Sequence, residues 1–129
     1  MARRASPNPT VVEMQILALL WERGSSTVRE VHNALGEPRG TGYSTTLKMM
    51  QVMTEKGLLI KDDTQRPQVY RPALSREEAQ IRVVDDIVQR VFGGAADQLI
   101  MRAIRSNNLS PDEAAEIKHL LEKLEGGAQ

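Results

Sequence analysis

The sequence contains no cysteine, which excludes disulfide bonds, thiolate metal sites and cysteine nucleophiles. Aromatic side chains are scarce, since one Trp, one Phe and two Tyr occur among 129 residues. The core must therefore be built from Leu, Ile, Val, Met and Ala, which suits helices that pack on helices. No run of about 18 apolar residues is present, and residues 1–4 (Met-Ala-Arg-Arg) are not followed by an apolar signal segment. We therefore expect a soluble, cytoplasmic protein with no membrane insertion.

An excess of charge of one sign is also lacking, because 17 basic residues balance 17 acidic ones. The balance is uneven along the chain. Residues 1–73 carry ten cations and seven anions, a net charge of +3, whereas residues 74–129 carry seven cations and ten anions, a net charge of −3. This asymmetry favours a first half that faces phosphate groups and a second half that does not.

Residues 42–57 read Gly-Tyr-Ser-Thr-Thr-Leu-Lys-Met-Met-Gln-Val-Met-Thr-Glu-Lys-Gly and predict one helix. Gly57 suits a left-handed C-cap, and Lys56 lies in the last turn, where the helix dipole favours a cation. The helical spacing predicts an inward face of Thr46, Met49, Met50 and Met53. The opposite face has one cation and no carboxylate before Glu55, and it consists of Ser44, Thr45, Lys48, Gln51 and Val52. Such a face suits phosphates and base edges of DNA, although an ordinary amphipathic helix would show a similar pattern.

Two short β-prone runs, residues 58–63 and 68–73, follow this helix and flank a polar connection that contains Arg66 and Pro67. The pattern predicts a β-hairpin with Arg66 at its tip. A helix-turn-helix followed by a two-stranded hairpin is a winged helix. The helix would lie in the major groove of DNA, and the hairpin, or wing, would contact the flanking backbone.

Residues 10–24 and 27–36 each open with a Thr-x-x-Glu capping box and close with glycine, which predicts two further helices. The second would be the first helix of the helix-turn-helix, and Arg29 near its start could hold a phosphate. Trp21 is assigned to the core, since a large aromatic at helical spacing usually packs there. His32 and the other histidine are distant in the sequence, so neither a metal site nor catalysis is expected.

Three amphipathic segments follow, at about residues 75–92, 95–105 and 110–125, and the first and last open with serine capping boxes. A small winged-helix domain cannot bury all their apolar faces, so we expect pairing with a second chain into a two-fold homodimer. The dimer would present two copies of the helix at residues 42–57, the recognition helix, to two half-sites about one turn of DNA apart. This arrangement predicts a palindromic operator. The alternative is an intramolecular three-helix cap on a monomer. The residues expected at the dimer contact are Ile81, Val84, Ile87, Val88, Val91, Leu99, Ile100, Ile104, Ile117, Leu120, Leu121 and Leu124.

The predicted fold class is mainly α with a small β wing, an N-terminal winged helix-turn-helix plus a C-terminal three-helix dimerisation arm. The predicted divisions are a flexible basic tail (1–9), a winged-helix DNA-binding domain (10–73), a helical dimerisation domain (74–125) and a disordered tail (126–129).

Several segments, in this order, resemble the penicillinase-repressor family, the BlaI/MecI group of bacterial winged-helix repressors. The similarity covers about residues 10–124, and it lies in the order and spacing of the segments rather than in one motif. The segments are residues 42–48 (Gly-Tyr-Ser-Thr-Thr-Leu-Lys), 53–58 (Met-Thr-Glu-Lys-Gly-Leu), 69–72 (Val-Tyr-Arg-Pro), 92–94 (Phe-Gly-Gly), 109–113 (Leu-Ser-Pro-Asp-Glu) and 117–121.

The resemblance implies a dimeric repressor that occupies an inverted-repeat operator in double-stranded DNA, with no cofactor. It also implies relief through a membrane-bound sensor metallopeptidase, which leads to cleavage of the repressor in its dimerisation arm. The cleavage dipeptide of β-lactam-sensing members is Asn-Phe, whereas this chain has Arg102-Ala103 at that place. A copper-responsive branch carries a cysteine-rich metal motif, which a chain without cysteine cannot form.

The leading hypothesis is a sequence-specific DNA-binding repressor. Thr45 and Lys48 would face base edges, and Gln51 would read an adenine or contact a phosphate. Arg29, Ser44 and Arg66 would hold the DNA backbone. Tyr43 could contact DNA or pack at the start of the helix. A winged-helix protein-interaction module without specific DNA binding is the alternative, and an enzyme is poorly supported. The residues expected to contact DNA are Arg29, Tyr43, Ser44, Thr45, Lys48, Gln51 and Arg66.

Overall fold

The computed structural model describes residues 7–127. Its element order confirms the predicted fold class, mainly α with a small β wing. Residues 1–6 and 128–129, which belong to the two predicted tails, lie outside the described residues. The elements are α1 (Val11–Arg23), α2 (Val28–Val31), a π-helical turn (His32–Gly36), α3 (Tyr43–Glu55), β1 (Leu59–Asp62), β2 (Val69–Pro72), α4 (Arg76–Arg90), α5 (Ala96–Ser106) and α6 (Pro111–Gly127).

The predicted capping boxes all form. In the first of them the amide of Glu13 donates to Thr10 Oγ1 at 3.2 Å, and the amide of Thr10 donates to Glu13 Oε1 at 3.0 Å. Two backbone donors at the start of a helix are thereby satisfied by side chains of the same segment. The boxes open α1, α2, α4 and α6, and their pairs are Thr10–Glu13, Thr27–Glu30, Ser75–Glu78 and Ser110–Glu113.

The second helix differs from its prediction. Regular α-helix ends at Val31, and the chain widens into the π-helical turn, in which the amide of Glu37 donates to the carbonyl of His32 at 2.8 Å. Gly36 is buried in this turn and does not serve as a left-handed cap. A Cβ at this position would lie 2.5 Å from His32 Nδ1 and 2.6 Å from Thr46 Oγ1, so the glycine permits a close approach of the turn to α3.

The core of the winged helix is mainly aliphatic, as the shortage of aromatic residues predicts, and it also includes the buried Tyr70. Side chains from α1, α2, α3, the wing and the segment that follows it form one buried cluster. Burial of this apolar surface is the main source of stability for the unit. The largest fully buried side chains are Leu17, Leu20, Val31, Met50, Met53 and Leu58.

The wing is an antiparallel pair in which Leu59 lies opposite Pro72 and Asp62 lies opposite Val69. Arg66 lies in the connection between the strands, as predicted. A third segment joins the wing, because Ser26 and Tyr70 exchange two backbone hydrogen bonds of 3.0 and 2.8 Å. This bridge, which no local sequence pattern predicts, ties the start of the helix-turn-helix to the second strand of the wing.

The chain divides into two compact units between Ile87 and Val88. The first turns of α4 belong to the N-terminal unit because Leu74 and Ala79 are buried in its core. Trp21 also reaches this segment, since its indole Nε1 donates to the carbonyl of Leu74 at 3.0 Å. The assignment of Trp21 to the core is therefore confirmed in part: the residue is half-buried, and its polar edge is used.

In the C-terminal unit the helices end slightly differently from their prediction. α4 ends at Arg90 instead of Phe92, before Gly93 and Gly94, which both have positive φ. α6 continues through Gly127, although residues 126 and 127 were assigned to a disordered tail. Glycine costs a helix only about 1 kcal/mol relative to alanine, so these glycines do not end it. Within residues 7–127, no helix combines the length and apolar character needed to cross a membrane.

Candidate nucleic-acid interface

The ends of α3 are fixed by backbone hydrogen bonds. At its end, Gly57 has a φ of 81°, which confirms the predicted left-handed cap. The amide of Gly57 donates to the carbonyl of Thr54 at 3.1 Å, and the amide of Leu58 donates to that of Met53 at 2.9 Å, which is the Schellman arrangement. At its start, the amides of Thr45 and Thr46 both donate to the carbonyl of Gly42. The helix thus has a defined length with which to present its outer face.

The inner face of α3 follows the prediction. Met50 and Met53 are fully buried, Thr46 is 4% exposed, and Met49 is half-buried. The Thr46 hydroxyl shares a hydrogen bond of 3.2 Å with Nδ1 of His32, a buried residue of the π-helical turn. This contact joins the two helical segments of the helix-turn-helix through polar atoms as well as through the core.

A buried ion pair holds the end of α3. Lys56 Nζ lies 2.7 Å from Glu13 Oε1, and the two side chains are only 9% and 7% exposed. The same carboxylate accepts from the amide of Thr10, so it has two donors. Such a pair is weak support for net stability, but it leaves a buried charge without its partner if either side chain is removed. The pair therefore fixes the end of α3 against the start of α1.

The outer face of α3 is exposed at the predicted positions Ser44, Thr45, Lys48 and Gln51, while Val52 is half-buried. Within the described residues, Lys48 makes no ion pair. Its ammonium group is accordingly available to an anionic partner. No carboxylate lies on this face before Glu55, as the sequence indicated.

Tyr43, for which two roles were open, packs at the start of α3. Its ring meets His32 edge-to-face, with the ring centroids 5.6 Å apart and an angle of 77° between the planes. The guanidinium of Arg29 lies 4.1 Å from the centre of the Tyr43 ring. Cations at this distance from an aromatic face are attracted by its quadrupole. Tyr43 nevertheless remains 37% exposed, so packing leaves part of its surface available.

The structure brings the predicted residues together on two sides of α3. On one side, Arg29, Tyr43 and the wing-tip residue Arg66 line a cleft of about 310 Å³. On the other side, Ser44, Thr45 and Lys48 line a shallow depression of about 450 Å³. Gln51 is exposed on the same helix.

Sequence reasoning missed the contribution of His32, which it treated as an isolated histidine. His32 lies four residues after Val28 on the inner face of the second helical segment, and it contacts both Thr46 and Tyr43. Its helical spacing from the buried Val28 was the indication of burial that the sequence offered. Among residues 7–127, no group of three His, Asp or Glu side chains is placed to hold a metal ion.

Most apolar residues expected at the dimer contact are exposed in the single chain. Val88, in contrast, is already buried in the single chain, at 7% exposed. Ile87, Leu99 and Ile117 are half-buried. Arg102 and Ala103, at the place of the family's cleavage dipeptide, are exposed in the second half of α5. The exposed members are Ile81, Val84, Val91, Ile100, Ile104, Leu120, Leu121 and Leu124.

Comparison with known proteins gives a match over most of the chain. Residues 9–123 match the family described as Penicillinase repressor. Two curated relatives are named Transcriptional regulator BlaI, one from Mycobacterium tuberculosis strain CDC 1551 / Oshkosh and one from strain ATCC 25618 / H37Rv. Each is 28% identical over 118 residues, which cover 90% of this chain and 84% of the relative.

Proposed function

Because the chain belongs to the penicillinase repressor family, we propose that it represses transcription as a homodimer on an inverted-repeat operator, with α3 in the major groove. The family is one of DNA-binding transcriptional repressors and not of enzymes. The observation that carries the proposal is the outer face of α3, where exposed Ser44, Thr45, Lys48 and Gln51 include no carboxylate, and where Lys48 has no ion-pair partner among residues 7–127. Hydroxyl, amide and ammonium groups are those that contact base edges and phosphates.

The residues of this interface take distinct roles in the proposal. Thr45 and Lys48 face base edges, and Gln51 reads an adenine or contacts a phosphate. Arg29, Ser44 and Arg66 hold the DNA backbone on either side of α3. The shared cleft of Arg29, Tyr43 and Arg66 supports a backbone contact at the wing. Arg29 stacks on Tyr43, which limits the freedom that its side chain loses when it binds a phosphate.

Dimerisation is supported by the apolar surface of the C-terminal helices. Leu120 and Leu124 lie one turn apart on α6 and are 60% and 66% exposed. Ile100 and Ile104 repeat this spacing on α5 and are 47% and 40% exposed. Exposed apolar patches larger than those of ordinary monomers mark interaction sites in soluble proteins. A second copy of the same arm covers it with matching chemistry.

We also propose that repression is relieved through a membrane sensor and protease pathway that acts on α5. Arg102 and Ala103 are exposed but helical, and Asn107 Nδ2 donates to the carbonyl of Ala103 at 2.8 Å. Cleavage at this place requires local opening of the last turns of α5. Coexpression with the sensor of the same organism, followed by mass spectrometry of the repressor fragments, tests this proposal. Fragments that end elsewhere, or an intact chain under inducing conditions, would refute the role of this site.

The DNA contact is tested by fluorescence anisotropy with a labelled fragment from upstream of the protein's own gene, against competitor DNA. We expect preferential binding by the native protein. Lys48→Ala should weaken this binding, and it should lower the slope of log K against log salt by about 1 if the ammonium group also contacts one phosphate. Lys118→Ala, which removes an exposed cation of α6, is the matched control and should leave the slope unchanged.

Two outcomes would contradict the proposal. Equal binding to operator and competitor would favour a winged-helix module that binds a protein instead of specific DNA. A change in slope with Lys118→Ala as large as that with Lys48→Ala would place the DNA contact elsewhere than on α3.

A further inference from the structure

A cleft of about 120 Å³ lies between α1, the π-helical turn and α3. We refer to it as the α1–α3 cleft. Most of its lining residues differ from those of the two sites that contain predicted DNA contacts, although Thr45 and Met49 border both this cleft and the depression with Lys48. A molecule bound in the cleft would therefore touch α3 next to Thr45, one of the residues proposed to contact DNA.

The inner wall of the α1–α3 cleft is apolar. Val12 and Ile16 of α1, Val31 and Leu35 of the second helical segment, and Met49 of α3 line it. An apolar cavity of about 150 Å³ stays dry and accepts benzene in another protein. The volume and lining of the cleft thus suit an apolar body of about one six-membered ring, which is smaller than the ligands of most binding pockets, whose volumes are about 300–1,000 Å³.

The rim of the cleft is polar and cationic. Arg39 Nη1 donates to the neutral Gln15 Oε1 at 2.6 Å. Within the described residues Arg39 forms no ion pair, and the side-chain hydroxyls of Thr41 and Thr45 form no hydrogen bond. Arg39, Thr41 and Thr45 all line the cleft. Their side chains carry the donors that hold a carboxylate, which accepts paired hydrogen bonds from arginine.

We propose that the α1–α3 cleft binds a small organic monocarboxylate whose apolar body is about one ring in size, and that this ligand weakens DNA binding. The ring lies against the wall of Val31 and Met49, and the carboxylate meets Arg39 at the rim. The bound anion places a negative charge beside Thr45 on the outer face of α3, where it repels DNA phosphates. This last effect rests on the proposed repressor function, whereas binding in the cleft does not.

Ligand binding is tested first on the full-length protein without DNA, by calorimetry or ligand-observed NMR with benzoate as the probe. We expect saturable binding at millimolar concentration. Benzyl alcohol, which has the ring but no charge, should bind about tenfold more weakly or worse, and acetate, which has the charge but no ring, should not bind detectably. Absence of benzoate binding, or equal binding of benzoate and benzyl alcohol, would overturn the proposal.

Variants then locate the site. Val12→Phe fills the cleft and should abolish benzoate binding, while Val11→Phe adds the same ring at a neighbouring residue that is 72% exposed and outside the cleft. Arg39→Gln should reduce the affinity for benzoate to that for benzyl alcohol, and this variant does not depend on repacking the core. Retained benzoate affinity in both Val12→Phe and Arg39→Gln would place the ligand elsewhere and overturn the assignment.

The effect on DNA is measured separately, by operator binding with and without saturating benzoate. We expect about a tenfold weaker affinity, within the usual range of coupling between two sites, and no change with acetate. If the native protein binds benzoate but shows no specific operator under any condition, the repressor function fails while the cleft stands. If operator binding is specific but unaffected by benzoate, the proposed coupling is wrong.

Discussion

Among single residues, loss of one partner of the Glu13–Lys56 ion pair is expected to destabilise the protein strongly, because both side chains are almost fully buried. Lys56→Met keeps the apolar stem but leaves the Glu13 carboxylate buried without its cation. We expect the free energy of unfolding to fall by about 3 kcal/mol, the lower end of values for half-broken buried pairs. Urea unfolding at neutral pH, followed by circular dichroism, measures this loss.

The second ion pair of the described residues provides the control. Lys61 and Asp63 lie 3.7 Å apart with side chains 39% and 66% exposed. Exposed pairs contribute at most about 1 kcal/mol, so Lys61→Met should change stability little. Equal losses for Lys56→Met and Lys61→Met would mean that the burial of the first pair has no energetic consequence.

Gly36 has no room for a larger side chain, because the space beside its Cα is already filled by His32 and Thr46. Gly36→Ala should destabilise the protein by about 1–3 kcal/mol, as overpacking of a core does. It should also reduce operator affinity, since the displaced Thr46 is part of α3. Thermal unfolding and anisotropy measure the two effects.

Gly126→Ala is the matched control for Gly36→Ala. Gly126 also lies in a helical segment, but a Cβ there meets nothing within 4 Å. Alanine is the better helix former by about 1 kcal/mol, so this variant should be neutral or slightly more stable. A neutral Gly36→Ala variant would show that the π-helical turn has room to relax.

Among single residues, the exposure of a side chain was predictable where it depends on local helical spacing. Side-chain contacts that depend on tertiary packing were not predictable. The exposed set on α3 was predictable, because Ser44, Thr45 and Lys48 lie opposite a run of buried methionines. The stacking of Arg29 on Tyr43 and the hydrogen bond of His32 with Thr46 were not. They join residues 14 apart through the turn between two helices, and the shape of that turn is set by packing around Gly36.

Among the secondary-structure elements, α4 offers a test of capping through pH. The amide of Ser75 donates to the Glu78 carboxylate and holds its pKa below the ordinary value of 4.5. A carboxyl group whose pKa is lowered by folding contributes stability above its unfolded pKa and loses it as the pH falls through the folded pKa. The same holds for Glu30 and Glu113, whose pKa values are lowered by the amides of Thr27 and Ser110.

Glu78→Gln keeps an oxygen acceptor for the Ser75 amide but removes the charge. The variant should therefore be less stable than the native protein at pH 7, and the difference should shrink and vanish as the pH falls below 4.5. Melting temperatures measured across this range test the expectation. Glu77→Gln, an exposed neighbour outside the capping box, controls for the loss of one charge in the first turn. A difference for Glu78→Gln that persists at low pH would assign the effect to packing and not to ionisation.

Some secondary-structure elements were predictable from the sequence, and others were not. α1, α3 and α6 were predictable because the residues that form their caps and apolar faces lie close together in the sequence. The π-helical turn and the bridge of Ser26 to Tyr70 were not, because each depends on a partner far along the chain. The burial of Leu74 and Ala79 in the core of the winged helix was not predictable for the same reason, because their position after the wing looks like the start of an arm.

For the whole molecule, the proposed dimer accounts for the exposed apolar faces of α4, α5 and α6. Leu120 and Leu124 are among the most exposed apolar residues of this surface. The double variant Leu120→Glu/Leu124→Glu places two carboxylates there, and desolvating unpaired charges opposes association. By analytical ultracentrifugation we expect a folded monomer for this variant and a dimer for the native protein. Val11→Glu, which changes a residue of α1 that is 72% exposed, should leave the dimer intact.

Loss of the dimer has a specific consequence for DNA binding. Two linked recognition helices bind two half-sites with an avidity that exceeds single-site affinity by about 10²–10⁴. The double variant should therefore lose roughly this factor on the complete operator while its affinity for an isolated half-site stays unchanged, since α3 and the wing are untouched. Equal losses on both fragments would indicate that the substitutions had disturbed the winged helix. A native protein that sediments as a monomer and binds half-site and operator alike would instead favour the three-helix cap, with each recognition helix acting alone.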